Sequence, residues 1–362
     1  MTDELDDARA LVPSMRLDAA EQLDSGDRAA VHRVQARATD GREGSLIVKR
    51  YLAEREEWVR EAAALATLPP ELGAPAIVAI GAEPPIVIMT DVGKGTNLAE
   101  QLLADEPGRA AHALTRWAEA VADVHVATAG LRAQFRAALD EHAGELPVHE
   151  ARIGNDIDDA MRVLDRACGS LGVVVPPGAL DEVRDLYHRL GGDGAAALTP
   201  ADACPDNNMA VGDRLVLIDF ENAQWRHIAW DVAYLRVPWP TCWCSWRLPA
   251  GVVDDAVAAY RHRAAPAFPQ VSDDEFEREV EAATIGWSLM SAVYLDNALG
   301  QEAALSGRYR RAPSRRAVLV NRLEQAACSS ELPAASELAA RLAAELRTRW
   351  GDVRLDLAPA FR

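Results

Sequence analysis

Apolar and polar residues alternate through the first ~90 residues as they do in β-strands, where successive side chains point to opposite faces. Residues 31–36 alternate in this way, and 45–52 follow after a glycine-bearing turn, which predicts a hairpin. Helical spacing over 53–68 and apolar runs at 75–82 and 85–92 complete the region. The pattern predicts a small antiparallel sheet with one inserted helix.

Beyond about residue 97, the pattern changes to long stretches rich in alanine and leucine with helical spacing. The glycines of segment 91–96 mark the predicted boundary between a strand-rich lobe, 1–92, and a helical lobe, 93–362. The predicted fold class is therefore α+β. The predicted helices are 97–104, 108–128, 131–142, 153–170, 177–190, 228–236, 251–263, 273–304, 314–328 and 334–350.

A short hairpin interrupts the helical region. Its predicted strands, 208–211 and 214–220, are joined by a Gly-Asp turn. Asp202 and Asn207 precede the hairpin, and Asp219 lies at its far end. Phosphoryl transfer needs a carboxylate that orients or deprotonates the attacking hydroxyl, and oxygen ligands that hold Mg²⁺ against nucleotide phosphates. This segment offers both.

A lysine lies on one of the predicted strands. Lys49 follows three apolar residues, and the predicted helix after it carries Glu61. A strand lysine held by a carboxylate can reach nucleotide phosphates. Taken singly, these residues also fit a solubilising strand lysine and a solvated helix glutamate. Their order along the chain favours the first interpretation.

This order of parts resembles the aminoglycoside phosphotransferase family, the small-molecule relatives of protein kinases. The shared order is a lysine strand, a glutamate helix, two strands, a short crossing, helices, and an Asp-x4-Asn loop before a hairpin that ends in Ile-Asp-Phe. The resemblance extends from about residue 20 to about residue 240. The matching parts are Val48-Lys49, 60–65, 117–125, the positions Asp202, Asn207 and Asp219, and 229–233.

The resemblance implies a two-lobed protein-kinase-like fold with a nucleotide-binding N-terminal lobe and a C-terminal lobe that binds the acceptor. It assigns Asp202 as the catalytic base or orienting carboxylate. Asn207 and Asp219 become Mg²⁺ ligands, and Lys49, held by Glu61, contacts the phosphates of ATP or GTP. The implied contacts of the nucleobase are with the backbone of Met89, Thr90, Asp91 and Val92.

Two further residues have implied structural positions, and two features depart from the family. Asp231 is expected to cap a helix beneath the catalytic loop, and His125 either supports that loop or packs at a helix end.

The family's loop reads His-Gly-Asp, whereas this chain has Pro200 and Ala201 before Asp202. The loss of the imidazole permits activity, and it also fits a catalytically reduced relative that binds nucleotide or ligand in a regulatory role. The phosphate-covering loop, 23–28, contains one glycine.

The acceptor is expected to be a small-molecule alcohol, cationic or sugar-containing, such as an aminoglycoside or another antibiotic that is inactivated by modification. Three tryptophans lie within segment 239–246, where they either stack on an acceptor or pin the segment to the helical core. The residues predicted to contact the acceptor are Asp206, Glu221, Trp243 and Asp296.

Composition and charge limit the classes of molecule that the protein is expected to bind. The formal charge of −18 over 362 residues argues against a nucleic-acid partner, because phosphate-backbone binding requires a positive surface that no segment of the sequence supplies. The charge fits a cationic substrate, but an excess of acidic residues more often reflects the solubility of the surface. The sequence shows no membrane span and no signal peptide, so a cytoplasmic location is expected. The five cysteines are interpreted as reduced, packed thiols without a zinc pattern.

Overall fold

A computed structural model describes residues 2–25, 28–52, 55–300, 302 and 311–362. The N-terminal region forms a five-stranded antiparallel sheet. Its strands are β1 (Met15–Ser25), β2 (Ala29–Ala38), β3 (Glu43–Tyr51), β4 (Ile77–Ala82) and β5 (Pro85–Thr90), and they lie in the order β1-β2-β3-β5-β4. Two helices accompany the sheet, α1 (Thr2–Leu11) before the first strand and α2 (Arg55–Thr67) after the third.

The two faces of this sheet pack against different partners. Val48 and Ile88 point toward α1 and join an apolar cluster with Leu5 and Val12. Alternation along β3 turns Lys49 to the opposite face, where Tyr51 packs into the main core with α2. The period of the strand therefore places the lysine on the face that carries α2 and the main core.

The rest of the chain is mainly helical. The single helix predicted over 273–304 is two helices, α10 (Asp274–Met290) and α11 (Leu295–Gly300), separated by a turn at Ser291–Tyr294. The region predicted as a helix over 228–236 is the short helix α8 (Ala229–Val232) followed by a 3₁₀ turn. The helices are α3 (Leu98–Leu103), α4 (Pro107–Thr128), α5 (Arg132–Ala143), α6 (Ile153–Leu171), α7 (Ala179–Arg189), α8 (Ala229–Val232), α9 (Ala250–Ala264), α10 (Asp274–Met290), α11 (Leu295–Gly300), α12 (Arg315–Ala326) and α13 (Pro333–Trp350).

Two small antiparallel sheets position the candidate site. The predicted hairpin is confirmed: β7 (Asn208–Val211) pairs with β8 (Arg214–Leu217) around the Gly-Asp turn. The second sheet, which the sequence did not reveal, pairs β6 (Ala196–Thr199) with β9 (Gln224–His227). Because β6 leads into the loop before the hairpin and β9 follows it, the two sheets hold both ends of the candidate catalytic segment.

Candidate functional site

The loop that carries Asp202 is fixed by backbone and side-chain hydrogen bonds. Thr241 Oγ1 donates to Asp202 Oδ1 at 2.6 Å, and Cys204 Sγ donates to the same oxygen at 3.0 Å. Tyr234 donates its hydroxyl to the carbonyl of Ala201 at 2.9 Å. Ala201 has φ of 59°, a left-handed conformation that costs a non-glycine residue about 1–3 kcal/mol and persists where surrounding contacts impose it.

The carboxylate of Asp202 is half-buried and has an unusual acidity. Burial raises its pKa to about 6, and the hydrogen bonds from Thr241 and Cys204 oppose that rise. A carboxylate in this range is ionised at neutral pH and is a stronger base than an exposed aspartate.

The hairpin brings two potential cation ligands toward the loop. Asn207 Nδ2 donates to the backbone oxygen of Asp202 at 2.8 Å, which turns its amide oxygen away from that carbonyl. Asp219 follows β8 with φ of 67°, a second strained residue at the site. Amide and carboxylate oxygens suit Mg²⁺, so the chemistry of these donors fits the cation that the resemblance implies.

Lys49 lies at the centre of a cluster of carboxylates. Its Nζ is 2.8 Å from Glu61 Oε2, 2.5 Å from Asp219 Oδ1 and 2.8 Å from Glu221 Oε2. Burial alone would lower the pKa of Lys49, but Asp219 and Glu61 more than offset it and raise that pKa well above its usual value. Tyr51 donates its hydroxyl to Glu61, which fixes the glutamate behind the lysine.

Glu221 lies with the lysine and not with the cleft beside Asp202. Its carboxylate contacts Lys49 and, at 3.2 Å, Arg28 from the loop between β1 and β2. Burial, followed by the neighbouring Asp219 charge, raises the pKa of Glu221 to about 7. The sequence predicted an acceptor contact at this position, and the structure instead joins it to the group around Lys49.

The segment predicted to bind the nucleobase is anchored by the side chain of Asp91. Arg33 donates to its carboxylate at 2.6 and 3.1 Å, and Ser45 donates at 2.6 Å. These hydrogen bonds outweigh burial and lower the pKa of Asp91 to about 2. Met89 and Thr90 belong to β5, and Val92 follows it. Because its carboxylate is already paired, only the backbone of Asp91 is left to contact a base.

A cleft of about 410 Å³ opens beside Asp202. Its walls come from the loop, from Thr241, from the start of α6 and from the end of α10. Sequence reasoning missed the polar residues Arg152 and Asp156 and the aromatic Trp287. Within the described residues, Arg152 Nε and Arg226 Nε of this wall are buried without a hydrogen-bond partner.

Asp206 and Trp243, also predicted to contact the acceptor, are not among the described residues that line this cleft. Asp206 Oδ2 accepts a hydrogen bond from Trp243 Nε1 at 2.8 Å, so these two side chains bind each other. Asp296 lies in α11, and its side chain is outside the described residues. Trp239 and Trp246 are buried, which agrees with a segment pinned to the core.

A buried ionic network lies beneath the loop. Asp231 is inside α8 and does not cap it, in contrast to the expectation from the sequence. Its carboxylate is 2.5 Å from Arg226 Nη2 and 3.2 Å from His125 Nε2, and the other ring nitrogen of His125 is 2.8 Å from Tyr260. His125 is therefore packed in the core and connects α4 with α8 and α9.

Comparisons with known proteins bear on the fold. No protein-family model matches the chain, and no curated protein sequence matches it. Among solved structures, an amicoumacin kinase in complex with AMP-PNP, Ca²⁺ and Ami is similar with a TM-score of 0.50, at 12% identity over 92% of this chain and 95% of that chain. This chain has the protein-kinase-like fold that aminoglycoside phosphotransferases share.

Two other similar structures lie just below that TM-score. Ethanolamine kinase from Plasmodium vivax has a TM-score of 0.49 at 13% identity, covering 92% of this chain and 83% of that chain. Macrolide 2'-phosphotransferase from Brachybacterium faecium has a TM-score of 0.48 at 17% identity, covering 83% of this chain and 93% of that chain.

Within the described residues, no helix combines the length and apolar character that crossing a membrane requires.

Proposed function

We propose that the protein is a Mg²⁺-dependent phosphotransferase that moves the γ-phosphate of ATP or GTP to a hydroxyl of a small molecule. One observation carries this proposal. Asp202 lines an open cleft, while Asp219, at the end of the adjoining hairpin, lies 2.5 Å from the strand lysine Lys49. Phosphoryl transfer needs a base beside the space for the acceptor, and a positively charged side chain close to the ligands of the metal.

Each of these residues has a separate task in the proposed reaction. Asp202 orients the acceptor hydroxyl and accepts its proton, for which a pKa of about 6 is suited near neutral pH. Lys49, which Glu61 holds in place, pairs with nucleotide phosphates when Asp219 turns from the lysine to Mg²⁺. Asn207 and Asp219 hold Mg²⁺, which when bound neutralises charge on the phosphates. The backbone at Met89–Val92 receives the nucleobase.

The cleft beside Asp202 supports a polar, hydroxyl-bearing acceptor. Its wall combines carboxylates such as Asp156 with the guanidinium group of Arg152, and Trp287 adds an aromatic surface. Sugars and aminocyclitols present such a mixture of oxygens, amines and apolar ring faces. We therefore propose an aminoglycoside or another antibiotic as the acceptor, with resistance by modification as the role and a cytoplasmic location.

The alternative is a kinase-like protein that binds nucleotide without transferring phosphate. The loss of the loop histidine favours it. Against it, Tyr234 and Thr241 fix Ala201 and Asp202 in this chain, so the loop is held by other side chains. Retention of Lys49 and Asp202 together also favours a working enzyme.

The test is a panel of antibiotics and sugar alcohols incubated with the protein, Mg²⁺ and either ATP or GTP. We expect one acceptor to gain the mass of a single phosphoryl group, with loss of that product when Mg²⁺ is chelated. Tight nucleotide binding without any product across the panel would support the regulatory alternative instead.

A further inference from the structure

Two cysteines and a carboxylate meet beside the catalytic loop, although they are far apart in sequence. Cys204 and Asp206 belong to the loop, and Cys242 belongs to the tryptophan-rich segment 239–246. One side-chain donor atom of each lies within 4.8 Å of the other two. Both cysteines are buried and reduced, while Asp206 is half-buried. The three donors therefore lie close together, with Asp206 the most exposed of the three residues.

The sulfur–oxygen spacing between Cys242 and Asp206 suits a tetrahedral metal ion. Cys242 donates its thiol hydrogen to Asp206 Oδ1 across 3.6 Å. An ion with metal–sulfur bonds of about 2.3 Å and metal–oxygen bonds of about 2.1 Å holds a sulfur and an oxygen about 3.6 Å apart at the tetrahedral angle. Without an ion, Cys242 and Cys204 keep their protons and donate hydrogen bonds to Asp206 and Asp202.

The side chain of Trp243 orients the carboxylate of Asp206. Trp243 Nε1 donates to Asp206 Oδ2 at 2.8 Å, so the second oxygen, Oδ1, is the one that faces Cys242. Metal-binding carboxylates commonly have such a hydrogen-bonded second oxygen, which fixes the direction of the first. The indole between Cys242 and Cys244 is thus explained as a support for the carboxylate.

We propose that Cys204, Asp206 and Cys242 bind one thiophilic divalent cation, of which Zn²⁺ is the usual example, at a site distinct from the proposed Mg²⁺ ligands. Thiolate ligands select such ions over Mg²⁺. Binding forms two metal–sulfur bonds and one metal–oxygen bond, and the two thiols release two protons to the solvent. A solvent molecule completes the tetrahedron.

The site would act on the catalytic loop. Cys204 now donates its S–H to Asp202 Oδ1 at 3.0 Å, and metal binding removes that proton. The cation would also tie the loop to segment 239–246, which carries Thr241, the other donor to Asp202. Occupancy of the site would therefore change the surroundings of the proposed base without touching the acceptor.

The experiment titrates Co²⁺ into the full-length protein after reduction and removal of metals. We expect one Co²⁺ per chain with thiolate-to-cobalt charge-transfer absorption, displacement by Zn²⁺, and two protons released per Zn²⁺ in weakly buffered solution. Cys242→Ser should lose about half of the charge-transfer intensity and weaken binding at least about 10-fold. Cys168→Ser is the matched control, because Cys168 is buried on α6, and it should bind like the unmodified protein.

Two results would overturn the proposal: binding of Co²⁺ without thiolate absorption, or an unchanged spectrum in Cys242→Ser. Because Cys204 lies on the catalytic loop, Cys204→Ser risks misfolding. Asp206→Asn therefore provides the second variant, with folding checked by circular dichroism. It should keep the charge-transfer bands while binding Co²⁺ about 10-fold more weakly, and unweakened binding would contradict the assignment of this ligand.

Discussion

Asp202 is oriented by residues other than the histidine that the family resemblance led us to expect. Thr241 supplies a 2.6 Å hydrogen bond to its carboxylate, and Tyr234 fixes the preceding carbonyl. The loop sequence alone gave no sign of these partners, because both lie more than 30 positions further along the chain. The loop lacks the histidine of the family's motif, and side chains from elsewhere in the fold hold it instead.

Thr241 should matter to turnover through this hydrogen bond. Hydrogen bonds to charged groups contribute about 1.5–3 kcal/mol, so Thr241→Val is expected to lower kcat by about 10- to 100-fold. The KM for nucleotide should not change, since Thr241 lies beside Asp202 and not beside Lys49. Steady-state kinetics on the identified acceptor measures both quantities. Thr241→Ser, which keeps the hydroxyl, should restore kcat, and failure to do so would assign Thr241 a packing role only.

At the scale of elements, the crossing between the sheet and the helices packs directly on the catalytic hairpin. Thr96 accepts a backbone hydrogen bond from Ala210 of β7 at 3.0 Å. A Cβ added at Gly95 would lie 2.2 Å from the carbonyl oxygen of Ala210, closer than any real contact. The glycine is thus required by close approach of two backbones.

Gly95→Ala should therefore destabilise the protein by about 1–3 kcal/mol, the usual range for overpacking. Gly108→Ala is the control, because Gly108 lies in the first turn of α4 and an added Cβ there meets nothing within 4 Å. Urea unfolding measures both free energies. Equal stability of the two variants would contradict the close approach.

Strand β9 carries a buried histidine whose charge state affects stability. Burial lowers the pKa of His227 to about 4 from 6.5, and its Nδ1 accepts the amide N–H of Ala229 at 3.2 Å. Because the unfolded chain binds the additional proton between these two values, stability is complete above pH 6.5 and is lost as the pH falls toward 4.

The loss attributable to His227 should be roughly 2 kcal/mol between about pH 7 and about pH 4.5. His227→Asn retains an acceptor for the Ala229 amide but cannot become charged. The free energy of unfolding of this variant should therefore fall by roughly 2 kcal/mol less than that of the unmodified protein over the same pH interval. Urea unfolding of both proteins at the two pH values is the measurement. An identical loss in both would exclude His227 as the source.

The elements with regular periodicity were predictable, whereas those defined by long-range contacts were not. Helices such as α13 and the hairpin β7–β8 follow from local spacing and turn chemistry. The strand β1 was missed because its sequence, MRLDAAEQLDS, is largely polar, and α1 was missed because its acidic residues conceal a narrow apolar face.

The same distinction applies to the candidate site. Lys49, Glu61 and Asp219 were predictable as a group, because a known order of elements brings them together, and the structure joins them. The cleft residue Asp156 was not, because a polar residue on an amphipathic helix has the same pattern whether it faces solvent or a cleft. Cys204 and Cys242 likewise looked like separate packed thiols until the fold placed them side by side.

At the scale of the whole molecule, the proposed activity requires two groups from different parts of the chain to work on one nucleotide and one acceptor. The sheet contributes Lys49, and the helical region contributes Asp202. Their contributions should separate in variants, since one is proposed to bind phosphates and the other to activate the hydroxyl.

The most direct measurement is phosphorylation of the identified acceptor in parallel with nucleotide binding, for Asp202→Asn and Lys49→Met. We predict that Asp202→Asn lowers turnover by at least about 1000-fold and retains nucleotide affinity, whereas Lys49→Met loses nucleotide affinity. Asp213→Asn, in the exposed hairpin turn, is the control and should behave as the unmodified protein. Turnover by Asp202→Asn at the unmodified rate would contradict the account.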